Sequence, residues 1–494
     1  MEKRAATFEL ALPPRSARLT AYRWLYESLR AEILEDRLRP GTRLPSTRDL
    51  SRQYGLARGT IVNAFDQLKS EGYVEGSIGS GTYVTEMLPE GLLQVRGERG
   101  ATTSLKTKKP ITLSRYARRA RLFEGYEDRP TRAFRANLPA LDLFPTVLWA
   151  KITAGCLRRI SARQMMGCGP LGHLPLRRAV ADYLGRSRGV VCAAEQVAIV
   201  GGVQQALDMT ARLLVNSEDT VCLESPGYPG AELVFRSLRA RIHLAKVDGQ
   251  GVDVADLPQR RVRMVYITPA HQFPLGSTMS LARRLQLLEW ARKTGAIIFE
   301  DDYDSEYRYS GQPIPALQGL DRGGSVIYAG SFSKVLFPAL RLGYIVVPPD
   351  LLAGFEAVLS LTSRHAPMLE QLVLSDFIHE GHFARHVRRM RQIYAERLGV
   401  LLEEARKRLD GLLEISNVQA GLQTVGWLRK GMDAESAAAS AAKRGVEVTP
   451  LGRYGGGAAG TESEGLQLGF AAIDEREIRR GVRDLAAALD AGRD

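Results

Sequence analysis

The apolar residues of the chain change their spacing twice, and each change marks a different kind of structure. Between Ala21 and Leu34, Trp24, Leu25, Leu29, Ile33 and Leu34 recur at helical spacing. Pro40 and Gly41 in RPGTRL stop that helix. Ser46, with Asp49 three residues on, caps a second helix that runs to Tyr54 and breaks at Gly55. A third, about Arg58–Glu71, turns Ile61, Phe65 and Leu68 to one side. Two short β-like pieces, Tyr73–Val74 and Thr82–Val84, flank the tip Gly79–Ser80–Gly81. Three helices and a two-stranded wing make a winged helix-turn-helix, mainly α, whose third helix enters the DNA major groove. Arg43, Arg48, Arg58 and Thr60 are then the candidate contacts to phosphates or base edges. The same arginines also suit an ordinary solvated, salt-bridged face.

The periodicity then lapses. RGERGATTSLKTKKP and RYARRARL are polar and basic, and they read as a linker over 87–130 between a DNA-binding domain at 15–86 and a larger domain at 131–490. Arg115–Arg121 reads as a short helix adding phosphate contacts, or as a solvated tether. From about Phe134 onward apolar strands alternate with helical stretches, the pattern of an α/β domain with a mainly parallel sheet.

Polar residues gather where those strands end. Val197–Val200 runs into Gly201, Gly202 and a helix from Val203, a turn whose free N–H groups suit a phosphate. Thr220–Leu223 ends in ESPGYPG, which holds Tyr228 in a stiff turn as a flat platform. Val262–Ile267 ends in TPAHQFPLG, offering His271 and Gln272. Ala296–Phe299 ends in EDDY, with four acidic residues within Glu300–Asp304. Clustered carboxylates near a buried edge need a cation, which a protonated pyridine nitrogen or a divalent metal would supply. No further carboxylate cluster or histidine set completes a metal sphere, so the reading is no metal. Ser325–Ala329 leads to Ser331, Ser333 and Lys334, with Arg341 seven residues on. A lysine among hydroxyls and near an arginine suits an aldehyde cofactor that carries a phosphate, with the amine forming a Schiff base. Open α/β sheets bind ligands at such strand ends.

Charge and cysteine content bear on partners and compartment. The net charge is +13, of which +7 falls in residues 1–130 (23 Lys+Arg against 16 Asp+Glu), so a polyanionic partner is expected at the N-terminal end. The four cysteines, Cys156, Cys168, Cys192 and Cys222, form no CxxC, which speaks against zinc or a disulfide framework and for a reducing cytoplasm. No apolar run approaches a membrane span, and MEKRAATFEL lacks the apolar core of a signal peptide.

The stretch GTRLPSTRDLSRQYGLARGTIVNAFDQLKSEGYVEGSIGSGTYV resembles the DNA-binding domain of the GntR family, over Ala21–Val84. YAGSFSKVLFPALRLGY resembles the lysine motif SxSKxxxPxxRxGY of fold-type I aminotransferases, a likeness that extends over about Phe134–Leu489. The two together resemble a MocR-type transcriptional regulator. That resemblance implies pyridoxal 5'-phosphate, with Lys334 as the internal aldimine, Asp301 on the pyridine nitrogen and Tyr303 near the phenolic oxygen. It implies Tyr228 stacked on the ring, and Gly202, Val203, Ser331, Ser333 and Arg341 around the phosphate. Arg48, Arg58 and wing Gly79 fall where the family meets operator DNA, and a head-to-tail homodimer is implied. His271 or Gln272 stands where aminotransferases hold the phenolic oxygen with an Asn. Two further positions depart from the aminotransferase pattern. GCGPLG puts Gly167 where relatives carry a tyrosine for the partner's phosphate. LQLGF puts Gln467 where an arginine binds the substrate carboxylate, a charge that Arg453 in LGRYGGG would replace. The expectation is a cofactor-dependent regulator that senses an amine, amino acid or B6 vitamer at Lys334. The alternative is a working aminotransferase carrying a DNA-binding module.

Overall fold

The computed structural model describes residues 10–15, 19–77, 81–88, 111–122, 130–310, 314–429, 431–455 and 464–491. Gly79 and most of the linker therefore lie outside the described residues. The chain separates into two compact units, Met1–Ile111 and Thr112–Asp494.

The smaller unit holds helices α1 (Ala21–Leu34), α2 (Thr47–Tyr54) and α3 (Arg58–Ser70), with strands β1 (Val74–Ser77) and β2 (Gly81–Val84) as an antiparallel wing. Local chemistry sets the ends of α2. The Ser46 hydroxyl accepts the Asp49 N–H, and Gly55 takes the left-handed conformation that closes the helix at low cost. Trp24, Leu29, Leu50, Ile61, Phe65 and Leu68 form the core, and Trp24 packs edge-on to Tyr54 with centroids 5.4 Å apart.

The larger unit is built on an eight-stranded sheet: β3 (Val197–Val200), β4 (Thr220–Ser225), β5 (Arg241–Asp248), β6 (Gly251–Val252), β7 (Val262–Ile267), β8 (Ile297–Asp302), β9 (Val326–Ser331) and β10 (Gly343–Val346). In space the order is β3-β10-β9-β8-β7-β4-β5-β6. Pairs β4–β5, β4–β7, β7–β8 and β8–β9 are parallel, while β10 runs antiparallel to both β3 and β9. The pleat divides each strand between two cores: Val197 and Ile199 face one, Ala198 and Val200 the other. Both faces are covered, which accounts for the nearly unbroken apolar runs. A second sheet, antiparallel, has the order β11-β12-β14-β13, from strands β11 (Leu413–Ile415), β12 (Gln423–Leu428), β13 (Thr449–Pro450) and β14 (Gly465–Gly469). The basic cluster forms a short helix, Arg115–Arg119, held to the larger unit where Arg212 donates to the Tyr116 hydroxyl at 2.7 Å.

Candidate functional site

The parallel strands end on one side of a cavity of about 1140 Å3. Gly202, Val203, Tyr228, Asp301, Tyr303, Ser331, Ser333, Lys334, Arg341 and Arg453 all line it. Residues scattered over 250 positions thus meet at one place, most of them because the mutually parallel strands deliver their carboxyl ends to the same edge, with Arg453 added from the Leu451–Tyr454 turn.

At the β3 end Gly202 opens the Val203–Leu214 helix with φ +112° and no side-chain cap, leaving its first N–H groups unclaimed by a side chain. The Arg341 guanidinium lies beside it, about 3.8 Å from where a Cβ on Gly202 would stand. Gly343 is needed at the neighbouring position: a Cβ there would come within 2.9 Å of the Gly202 Cα. Arg341 itself adopts a left-handed conformation, φ 50°, a local strain that aims its side chain. The Ser331 hydroxyl accepts the Ser333 N–H at 3.1 Å, which shapes the turn into Lys334. Helix end, hydroxyls and guanidinium make an anion cradle.

Lys334 donates to the main-chain carbonyl of Asn137 at 2.7 Å. Burial lowers its pKa to about 8, against the opposing pull of Asp304 and Asp301. Burial thus makes the neutral, nucleophilic amine more accessible than at an exposed lysine. Asp301 is buried and accepts from the Tyr266 hydroxyl at 2.5 Å through Oδ2, while Oδ1 has no partner. Burial raises its pKa to about 7 although the Tyr266 bond lowers it. Tyr228 donates to Gln204 at 3.0 Å and lies nearly parallel to Tyr266, centroids 6.1 Å apart.

The other acidic residues after β8 turn elsewhere. Glu300 accepts the N–H groups of Leu317 and Gln318 at 2.8 and 2.9 Å. Asp302 accepts from Arg188 at 2.7 Å and Tyr328 at 2.6 Å; burial opposes its charge, but Arg188 outweighs that and holds it below the usual carboxylate range. Asp304 faces His271 Nδ1 at 2.9 Å. Among the described residues no group of three or more such side chains forms a metal site. His271 is not on the cavity wall. It stands behind Tyr303, whose hydroxyl lies 3.1 Å from Nδ1. The Gln272 side-chain amide donates to the Pro226 and Phe273 carbonyls. Arg453 reaches the wall paired with Glu435, at 2.9 and 2.6 Å. Gln467 is wholly buried and accepts from the Tyr454 hydroxyl at 2.6 Å. His365 fills the space beside Gly167.

Sequence reasoning passed over Tyr266, Gln204 and Asn137. Tyr266 reads as core within VRMVYI, and the Asn137 contact is made by main chain, which leaves no trace in residue type.

In the smaller unit Arg43, Arg48 and Arg58 are exposed and Thr60 half-buried. Arg58 and Thr60 occupy the first turn of α3, which has no side-chain cap, and Arg43 bridges to Tyr83 of the wing. An uncapped, arginine-bearing helix start is suited to a phosphate or a groove edge.

Fold and site together define a fold-type I aminotransferase-like domain. Residues 135–485 match aminotransferase class I and II, and residues 21–84 match the bacterial regulatory proteins of the gntR family. The chain is 40% identical over 479 residues to the probable rhizopine catabolism regulatory protein MocR of Rhizobium meliloti, covering 96% of this chain and 95% of that one. It is 30% identical to the HTH-type transcriptional regulator TauR of Rhodobacter capsulatus, covering 92% of this chain and 94% of that one. Among solved structures, LysN, the α-aminoadipate aminotransferase of Thermus thermophilus complexed with N-(5'-phosphopyridoxyl)-L-leucine, is 30% identical with a TM-score of 0.66, over 73% of this chain and 92% of that one. The Pyrococcus horikoshii kynurenine aminotransferase in complex with PMP is 27% identical with a TM-score of 0.68, over 73% and 91%. The chain belongs to the MocR-type transcriptional regulators, a GntR-family DNA-binding domain joined to an aminotransferase-like domain. Pyridoxal 5'-phosphate is the cofactor this family implies, and the residues fit it: an anion cradle, a half-buried lysine, and a buried carboxylate oxygen with no protein donor.

Proposed function

We propose that the cavity holds pyridoxal 5'-phosphate with its phosphate on Gly202, Val203, Ser331, Ser333 and Arg341, its ring against Tyr228, and its ring nitrogen on Asp301. The observation that carries this is the unpartnered Oδ1 of Asp301, a buried acceptor on the wall that a pyridinium N–H would satisfy. The cofactor, when bound, supplies an electrophilic carbon to amines and an electron-withdrawing ring. Lys334 provides the tethering amine, kept partly neutral by burial. Tyr303, steadied by His271, orients toward the phenolic side. A ring cation facing Asp301 would favour its ionised form, offsetting the burial that raises its pKa, and the carboxylate would in turn favour that cation.

An effector amine would compete with the Lys334 amine for the cofactor, and a displaced Lys334 would need a new partner for its ammonium group. A switch of this kind needs the effector to interact differently with two arrangements, and exchange at Lys334 provides that difference. Residues 15–86 then bind operator DNA through Arg43, Arg48, Arg58, Thr60 and the wing around Gly79. Residues 87–130 link them to an effector domain at 131–490. A head-to-tail homodimer in the cytoplasm would present two DNA-binding domains to two half-sites.

The experiment is a visible spectrum of the purified protein and of Lys334→Ala. A band present in the first and absent from the second supports the reading. A colourless wild-type protein that added pyridoxal 5'-phosphate does not colour sinks it. Sustained keto-acid production from an amino acid would instead favour a working aminotransferase.

A further inference from the structure

Among the described residues, the cavity wall carries, besides the constellation at the strand ends, three arginines and three glutamates, and each of these arginines faces a glutamate. Arg135 lies 3.6 Å from Glu447, Arg236 2.7 Å from Glu232, and Arg453 2.6 Å from Glu435. The remaining charged groups of the described wall, Lys334, Asp301 and Arg341, belong to the constellation assigned to the cofactor. Among the described residues these six side chains sum to zero charge, and every arginine of the wall outside the cofactor constellation already faces a carboxylate. Tyr454 also lines the wall, and its hydroxyl donates to the Oε1 of the buried Gln467, whose Nε2 has no partner, so this part of the wall is polar but uncharged.

We propose that the effector is a primary amine that carries no carboxylate, an inference that rests on the cofactor site argued above. A carboxylate entering the cavity gives up part of its hydration, which a cation or several donors must offset. Each of these arginines already neighbours a glutamate that a bound carboxylate would face as a second anion, a repulsion screened at the exposed Arg236 and Arg453 pairs and strongest at the less exposed Arg135–Glu447 pair. An amine whose remainder is neutral meets no such opposition, and its hydroxyl groups find Tyr454 at the wall. The amine exchange itself balances without an oxidant. The carbon's double bond to the Lys334 nitrogen would be replaced by one to the effector nitrogen, and the two hydrogens that the effector amine gives up would pass to Lys334, which leaves as a free amine.

The test uses the full-length, cofactor-loaded protein and matched probes that differ by one carboxylate: ethanolamine against serine, and 3-methylbutylamine against leucine. Half-saturation of the visible spectral change is expected at about tenfold lower concentration for each amine than for its amino acid. The double variant Glu435→Gln, Glu447→Gln, which releases two guanidinium groups without altering the fold's core, should narrow that gap several-fold. Amino acids that act at equal or lower concentration than their matched amines overturn the proposal. A gap that the double variant leaves unchanged overturns the charge-pairing argument behind it. A protein without a visible band removes the cofactor site itself, a different failure from a coloured protein that prefers carboxylates.

Discussion

The Tyr266 hydroxyl donates to Asp301 Oδ2 at 2.5 Å, and this bond leaves Oδ1 as the carboxylate's one unpartnered atom in the cavity wall. It does two things at once. It fixes the rotation of the carboxylate, and it keeps part of the negative charge in place despite burial.

Asp301→Asn removes the charge while nearly keeping the shape. Losing a charge-assisted hydrogen bond to a ring cation should weaken cofactor affinity by about 1.5–3 kcal/mol, roughly ten- to hundredfold. Equilibrium dialysis of the cofactor-free protein against pyridoxal 5'-phosphate measures this, and unchanged affinity would displace Asp301 from its proposed role.

Lys334→Ala should abolish the visible band and the response to amines, yet leave DNA binding by the smaller unit. Fluorescence anisotropy with operator DNA, in the presence and absence of an amine, separates the two effects. Loss of DNA binding in this variant would mean that Lys334 holds the structure rather than reads a ligand.

Three carboxyls of the larger unit, Glu224, Asp301 and Glu306, are each raised to about 7, chiefly by burial. An acid whose pKa is raised on folding binds its proton more tightly in the folded state. Its contribution is therefore complete below the ordinary carboxylate range and is lost as pH rises toward 7. The cofactor-free protein should show a falling thermal midpoint between about pH 4 and pH 7. Glu224→Gln, which retains an acceptor for Thr268, should flatten that slope.

Arg188 and Asp302 form a buried pair at 2.7 Å, side chains 7% and 2% exposed. Arg188→Ala would leave Asp302 charged and enclosed, costing about 3–5 kcal/mol. Urea unfolding of the cofactor-free protein checks the magnitude. A loss below about 1 kcal/mol would show that Tyr328 alone suffices for Asp302.

Arg58 opens α3 on an exposed, uncapped turn. Arg58→Ala should weaken operator binding by about 1–3 kcal/mol if it reads a base. A phosphate contact would instead weaken all sequences alike and reduce the salt slope by about one. Anisotropy titrations at several salt concentrations distinguish these outcomes.

Much of this was legible in the residues. The helix starting at Val203 and ending at Leu214 follows from glycine punctuation and apolar spacing, and so does α1. The strand ends could be found because parallel strands are apolar until they stop. The sequence could not divide Glu300–Asp304 among its partners. Alternation along β8 puts consecutive carboxylates on opposite faces, so Asp301 meets the cavity while Asp302 meets Arg188, a residue 114 positions earlier. Nor could it show that Arg453 already had Glu435 as a partner, since that contact depends on how a helix and a loop fold together.

Asn137 accepts the Lys334 amine through its carbonyl and has φ +65°, a region that asparagine tolerates better than most residues. The side chain at 137 therefore selects a backbone shape, and the shape presents the acceptor. Replacing Asn137 cannot delete the oxygen; a glycine would keep it in place, while a β-branched residue would swing it away by opposing the left-handed turn. The catch that holds Lys334 is thus written in conformation rather than in chemistry. Substitutions at 137 act on it by moving the carbonyl, not by removing it.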